Sequence, residues 1–318
     1  MANEYGIPST YDTMVLTTSL ADYQKRLVDN AYQLSVILRL LNSERTKKMI
    51  DGGLSIVETV IKAKQSEGGY YVGADVLNNT QKNTTTLVEF KWQNVYEPIA
   101  ITRDEERQNS GSSHKIIDLV ATKIKLSEKA ISDRLDQGLS TPVANSGNLN
   151  DLETVVNTGT LGTIAGGTDT FWQSTVTTSG VFATQGLSDM TTAYYAVASA
   201  VDSETPDIFI TTKTVFQKFE QTRLPLERIA NGDLSANAGF QNLTFKGRPL
   251  TYGNNIASGL LFGLNRNYLY LAVDTATDMI TTPFVTPTNQ TVKVAYILWR
   301  GNLYTNNRRR HFKLSSIS

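Results

Sequence analysis

At 318 residues with 40% apolar side chains, the chain is long enough to bury one large core or two of ordinary size. Thirty basic residues balance thirty acidic ones, which argues against a dedicated nucleic-acid or membrane-surface protein, and the absence of cysteine removes disulfides, thiolate nucleophiles and cysteine-held zinc. The start, MANEYGIPSTYDT, has neither the basic nor the apolar segment of a secretory signal, so the chain is expected to stay in the cytoplasm where it is made, with no membrane contact.

Residues 1–18 lack periodicity and carry Gly6 and Pro8, which predicts an extended arm that a partner must order. From Thr18 to Leu41 the apolar positions Leu20, Tyr23, Leu27, Ala31, Leu34 and Leu38 keep a helical period. Residues 52–107 form a different block. GLSIVETVIKAKQ (53–65) alternates apolar and polar residues as a strand does, GGYYVGADVLNNTQKNTTT (68–86) is a polar loop with an aromatic pair, and TLVEFKWQNVYEPIAITRDEE (86–106) alternates again. A two-stranded ribbon of this kind has little core of its own and is marginal in water alone, so it is expected to lie against something else.

The longest helical pattern is Ser113–Gln137. Ile117, Val120, Ile124, Ile131 and Leu135 make one apolar stripe, Ser112 or Ser113 caps the start, and Gly138 with Pro142 closes the end. Residues 138–188, dense in Gly, Thr and Asn, read as loop with short strands. Helix and strand then alternate: LSDMTTAYYAVASAV (187–201) as helix, PDIFITT (206–212) as buried strand, KTVFQKFEQTRLPLE (213–227) as helix. NLTFKGRPLTYGNN, GLLFGLNRNYLYLAVD and TVKVAYILWRGNLYTNNRRRHFKLS close the chain as strand-rich segments.

The order of these elements resembles the major capsid protein of tailed bacteriophages, the Hong Kong 97-type fold. The resemblance covers about Leu20 to Leu314 and rests on GGYYVGADV with EFKWQNVYEPIAITRDEE, PDIFITTKTVFQKFE, FKGRPLTYGNN with LNRNYLYLAVD, and WRGNLYTNNRRRHFKL, taken in that order. It implies an α+β chain divided into an N-terminal arm and helix (1–51), an extended β-ribbon loop (52–107), a peripheral domain built on the long helix with the closing strands (108–144 and 281–318), and an axial domain (145–280). It further implies a structural protein, not an enzyme, that assembles with itself into pentamers and hexamers of an icosahedral head. Packaged double-stranded DNA is then met by non-specific contact, and a scaffolding protein, a portal and a decoration protein are further expected partners, placing the chain in the virion. The start at a methionine without a long helical prefix favours a separate scaffold. An encapsulin-like compartment shares the fold, while a polysaccharide-binding or adhesin-type β protein leaves the long helix unexplained.

No catalytic constellation emerges from the residues. His114 and His311 are the two histidines, without acidic neighbours at metal or acid–base spacing, and no nucleophile elbow, phosphate loop, dinucleotide fingerprint or HExxH is present. No catalytic, cofactor or metal site is therefore expected. Trp92 on the ribbon, with Arg103, Asp104, Glu105 and Arg107 in the charged segment before the long helix, are the candidate subunit-interface residues. Arg308, Arg309 and Arg310 are the candidate basic patch for the shell interior or a neighbour's carboxylates. Some members of the family join a ribbon lysine to a neighbour's asparagine; Lys62, Lys64 and Lys82 lie near or on the ribbon, and no crosslink is expected from them.

Overall fold

The structure, a computed structural model, describes residues 36–108, 119–141, 149–198, 204–230, 243–288 and 290–318. The expected arm 1–18, most of the expected helix 18–41, the first residues of the expected helix 113–137 with His114, and Pro142 lie outside them.

In chain order the first elements are helix α1 (Val36–Leu41) and strands β1 (Lys47–Ile50), β2 (Ser55–Ile61), β3 (Thr85–Lys91) and β4 (Gln93–Thr102). Helices α2 (Arg103–Gln108), α3 (Leu119–Ser140) and α4 (Leu152–Val155) follow, then the short hairpin β5 (Thr160–Leu161) and β6 (Ile164–Ala165) and strand β7 (Thr175–Thr178). Next come α5 (Leu187–Val197), β8 (Ile208–Thr211) and α6 (Lys213–Ala230). The chain closes with β9 (Thr244–Phe245), β10 (Arg248–Tyr252), β11 (Leu261–Leu264), β12 (Leu269–Asp274), β13 (Ile280–Thr281), β14 (Val292–Thr305) and β15 (Phe312–Ser315). Of the described residues, one compact unit holds 94–135 and 276–300, and a second holds 36–93, 136–275 and 301–318.

In the first unit β4 pairs with β14, and β13 runs antiparallel to β14 with Ile280 opposite Leu298 and Thr281 opposite Ile297. Strand alternation decides what is buried: Ile99 and Ile101 of β4 and Ala295, Ile297 and Trp299 of β14 are inside, while Tyr96, Pro98, Ala100 and Tyr296 are exposed. The long helix α3 is tied to β4 by polar links that run in opposite chain directions. Lys123 Nζ donates to the Ala100 carbonyl (2.8 Å), Ser127 Oγ to the Pro98 carbonyl (3.4 Å), and Arg134 pairs with Glu97 (3.1 Å). Within the expected apolar stripe Ile131 and Leu135 are fully buried, Ile124 is half-buried and Val120 is exposed. The stripe is therefore strongest toward the C-terminal half of the helix.

The second unit carries a six-stranded sheet in the order β7-β15-β11-β8-β10-β9. Strand β8 is buried along its whole length, as expected for IFIT between two neighbours, and pairs antiparallel with β11 and parallel with β10. Phe182, Met190, Val197, Phe209, Phe219 and Phe312 belong to one core that the helices α5 and α6 help to cover. A smaller sheet places β1 parallel to β12, with Lys47 opposite Leu271, and β12 antiparallel to residues 301–305 of β14. Residues 136–140 complete α3, which runs past Gly138 to Ser140 instead of stopping at Gln137. Gly138 thus lies inside the last turn, and the Thr141 amide donates to the Gln137 carbonyl (3.0 Å), extending the ladder beyond it. Buried Asp136 caps the short helix α1 from a distance: its Oδ1 accepts from the Ile37 and Leu38 amides (3.1 and 3.0 Å), and its Oδ2 from Asn255 Nδ2 (2.9 Å).

The stretch 281–318, expected as a whole beside the long helix, divides at Arg300. Strand β15 lies in the six-stranded sheet, parallel to β7 and antiparallel to β11. Its apolar residues Phe312 and Leu314 are fully buried there, and Lys313 between them is buried as well, paired with Glu153 (3.2 Å). With both faces covered, the strand lacks the one-sided alternation that would mark a sheet edge beside a helix.

Candidate subunit-interaction surface

The ribbon is the element whose surface its own unit does not absorb. Strands β2 and β3 pair antiparallel from Ser55 opposite Lys91 to Ile61 opposite Thr85. One face, Ile56, Val60, Val88 and Phe90, is buried; on the other, Val57, Ile61 and Leu87 are exposed. The buried face anchors the ribbon's root. The Phe90 ring lies 5.5 Å from that of Tyr304, Asn302 Nδ2 donates to the Lys91 carbonyl (2.8 Å), and the Glu89 amide donates to Thr163 Oγ1 (3.2 Å). The β5–β6 turn reaches the root through Gly162, which has φ +64°, and a Cβ there would stand 2.6 Å from the Glu89 carbonyl oxygen.

Beyond the paired strands, residues 62–84 form a tip fixed by its own polar contacts. Asp75 Oδ2 accepts from the Val72 amide (2.9 Å), Lys82 reaches Ser66 Oγ (3.0 Å) and pairs with Glu67 (3.5 Å), and Asn78 Nδ2 donates to Glu67 Oε2 (2.8 Å). The same tip presents Tyr70, Tyr71, Val72, Val76 and Leu77 to solvent, with Tyr70 and Val76 at 109% and 98% exposure. Five apolar side chains in the open within eight residues exceed the scatter of single surface hydrophobes and make the tip a candidate contact surface. Burying them stabilises a complex by on the order of 8 kcal/mol before ordering costs, at roughly 1.5 kcal/mol or more per side chain.

The first unit has an exposed row of its own. Tyr96 and Tyr296 stand edge to face with centroids 6.1 Å apart on adjacent strands, and Ile280 and Val285 are exposed on the same unit. Next to it, helix α2 sorts its charges. Glu105 accepts from the Thr102 amide (2.8 Å) and hydroxyl (2.9 Å) and pairs with Lys123 (2.8 Å); burial pushes its carboxyl up, but Lys123 and the Thr102 donors outweigh this and hold it below the usual carboxylate range. Glu106 pairs with Lys293 (2.8 Å), whereas Arg103, Asp104 and Arg107 are exposed. Of the four charged interface candidates, Glu105 therefore belongs to the fold's interior bracing and the other three face outward. Trp92 is half-buried at the ribbon root and belongs to the other unit.

The expected basic patch is dispersed. Arg308 is fully buried and donates to four backbone carbonyls: Nε to Val155 (2.9 Å), Nη1 to Gly159 (2.7 Å) and Trp172 (3.0 Å), and Nη2 to Thr154 (2.9 Å). Two of these are the orphan carbonyls at the end of α4, so the guanidinium caps that helix. Burial lowers its pKa to about 10, still well above neutrality. Arg310 is paired with Glu204 and donates to the Val197 carbonyl (3.2 Å), leaving Arg309 as the exposed member of the run. His311 is fully buried: its Nδ1 accepts from the Asn265 amide (3.2 Å), which leaves Nε2 as the protonated nitrogen facing Thr305 Oγ1 (3.2 Å). Burial pushes its pKa down to about 4.

No protein-family model matches the sequence, and none of the curated proteins does. Solved structures do match, along the whole chain. A chain of the cyanophage A-1(L) capsid superposes with a TM-score of 0.67 at 14% identity, covering 98% of this chain and 99% of that one. The capsid of a native GTA particle gives 0.67 at 10% identity, covering 94% and 96%. The chain has the fold of phage capsid subunits. The same fold extends to the SrpI encapsulin of Synechococcus elongatus PCC 7942, with a TM-score of 0.59 at 12% identity over 98% of this chain and 96% of that one. This is the α+β fold expected from the order of the sequence elements.

Sequence reasoning missed the surface that stands out most. The pair Tyr70–Tyr71 was visible inside a polar loop, but nothing local says whether such a pair folds back onto the ribbon or stays outside. Tyr96 and Tyr296 had a clearer signal, since each sits at the outward phase of an alternating strand.

Proposed function

We propose that this chain is a major capsid subunit that assembles into pentamers and hexamers of an icosahedral head enclosing double-stranded DNA. The observation that carries the reading is the end-to-end match to a cyanophage capsid chain, with no large segment of either chain left over. A ribbon with five exposed apolar side chains at its tip supports it further, because a shell gives every ribbon a neighbour on which to lie. In this reading the ribbon Ser55–Lys91 is the extended loop, the unit with 94–135 and 276–300 is the peripheral domain, and the six-stranded sheet is the axial domain. Trp92, Arg103, Asp104 and Arg107 contact neighbouring copies together with the ribbon tip. The protein has a structural role without catalysis, is built into the virion in the host cytoplasm with a scaffolding protein and portal, and offers its outer face to a decoration protein.

Negative-stain microscopy of the purified chain tests this directly: closed shells, or rings of five and six, are the expected result, and a protein that stays monomeric under all assembly conditions overturns it. The match to the SrpI encapsulin favours one second reading, a protein compartment loaded with cargo enzyme. Shells that enclose a defined protein and no nucleic acid select that reading over the first.

A further inference from the structure

At the ribbon's root a cleft of about 510 Å³ opens between the outgoing end of β2 and the turn that follows β14. Lys62 and Lys64 line it from the ribbon, Arg309 and Arg310 from the turn, and no aspartate or glutamate lines it. A chain with equal numbers of acidic and basic residues therefore concentrates four cations in one concavity. Arg310 is satisfied by Glu204 and the Val197 carbonyl. Lys62, Lys64 and Arg309 have no carboxylate partner among the described residues.

The cleft is also pre-organised. The Lys62 amide donates to the Thr84 carbonyl (2.8 Å), which holds the ribbon side in register. On the opposite side Arg309 sits between Arg308, locked by four carbonyls, and Arg310, held by its pair, so the backbone that presents it is fixed on both flanks. Asn307 and the half-buried Phe171 complete the wall with amide donors and an aromatic face. Cations gathered around one cavity repel one another, and an anion seated there relieves that repulsion. A carboxylate brings one negative charge and two oxygens; three unpaired cations, one of them a planar fork of donors, are matched better by phosphate, with more charge and three terminal oxygens. The volume falls in the range of small-molecule sites and exceeds what a single phosphate fills.

We infer that this cleft binds consecutive phosphate groups, of a free polyphosphate or nucleotide or of a nucleic-acid backbone, and thereby ties the base of the ribbon to the turn at 306–310. The inference stands on the cleft's own chemistry and is read on the full-length subunit whether or not it forms shells. Calorimetric titration with tripolyphosphate is expected to show binding that weakens steeply with salt. Lys62→Gln with Lys64→Gln, and separately Arg309→Gln, each weaken it by about five- to tenfold and flatten the salt dependence by about one power per lost contact, while Lys213→Gln, exposed at the start of α6 and outside the cleft, changes neither. Arg309→Lys retains most of the binding. A duplex oligonucleotide that binds wild type, is displaced by tripolyphosphate and fails on the double lysine variant identifies a nucleic-acid backbone as the source; tripolyphosphate binding without duplex binding identifies a free phosphate compound. Equal tripolyphosphate affinity in wild type and the double lysine variant overturns the site. So does binding of poly-glutamate with none of tripolyphosphate, which assigns the cleft to carboxylates of a second copy.

Discussion

Replacing Arg308 by methionine separates two views of the arginine run. If the run served a ligand, the variant would fold normally and lose only that contact. The structure gives the opposite expectation, because the guanidinium is fully buried and donates to the carbonyls of Thr154, Val155, Gly159 and Trp172. Each charge-assisted bond of this type contributes roughly 1.5–3 kcal/mol, but much of the sum is offset by stripping water from the cation. Truncation leaves neutral carbonyls buried without that donor, at about 1–3 kcal/mol for an acceptor left unpaired, so a net loss on the order of 3 kcal/mol is expected. Against a typical total stability of roughly 5–15 kcal/mol, that is a large fraction. Urea unfolding of the unassembled subunit, followed by far-UV circular dichroism, should show the midpoint falling accordingly with the slope unchanged. Arg308→Lys keeps the charge but replaces a planar fork by donors on one nitrogen, which cannot span acceptors on three segments of chain, so most of the loss persists. An Arg308→Met protein within about 0.5 kcal/mol of wild type, or a lysine variant equal to wild type, refutes the clamp.

Three further perturbations test the ribbon tip, its root and the buried histidine. Deleting residues 68–84 removes the exposed apolar tip while sparing the paired strands; the subunit should keep its unfolding midpoint yet form no shells by electron microscopy, and normal shells from this deletion refute the tip's role. Gly162→Ala places a Cβ 2.6 Å from the Glu89 carbonyl oxygen at a φ of +64° and should destabilise by about 1–3 kcal/mol, with protease sensitivity rising first in the ribbon; unchanged proteolysis argues against the root contact. His311 has its pKa depressed to about 4 from an unfolded value near 6.5, so its contribution is fully present above pH 6.5 and is lost as pH falls toward 4. The loss amounts to on the order of 3 kcal/mol, at about 1.4 kcal/mol per pH unit, and His311→Asn should flatten the stability profile over this window; an equal slope in both proteins refutes the assignment.

The ribbon and the long helix were legible because period carries their information. Ile56, Val60, Val88 and Phe90 sit at period two and are the buried face of the ribbon; Ile131 and Leu135 sit four apart and are buried on α3. The fate of Arg308 was not legible, since a run of three arginines reads as a solvated or ligand-facing patch wherever it occurs. Its burial depends on carbonyls of residues 154–172 converging on it, more than 130 positions away in the chain, and no local pattern encodes that convergence. Strand β15 illustrates the same limit. FKLS is too short to state which sheet it joins, and only the pairing of Phe312 with Thr175 and Gly263 decides it.

The division of polar and apolar groups also bears on how the molecule is stabilised. Arg308, His311 and Lys313 are buried within six residues of one another, each satisfied by carbonyls, amides or a carboxylate of its own unit. Arg308 and Lys313 thus spend their charges internally, on specificity of packing around β15, where an unpaired charge would be most costly, and His311 is held there in its neutral form. The reverse holds at residues 70–77, where tyrosines, valines and leucine stay outside although other segments of the chain bury the same residue types completely. Those side chains add nothing to the isolated subunit and gain only when a second surface covers them. Apparent stability should then rise with assembly by mass action, and the unfolding temperature of wild type, but not of the 68–84 deletion, should climb with protein concentration. A wild-type midpoint independent of concentration across the assembly threshold removes the physical reason for the exposed tip.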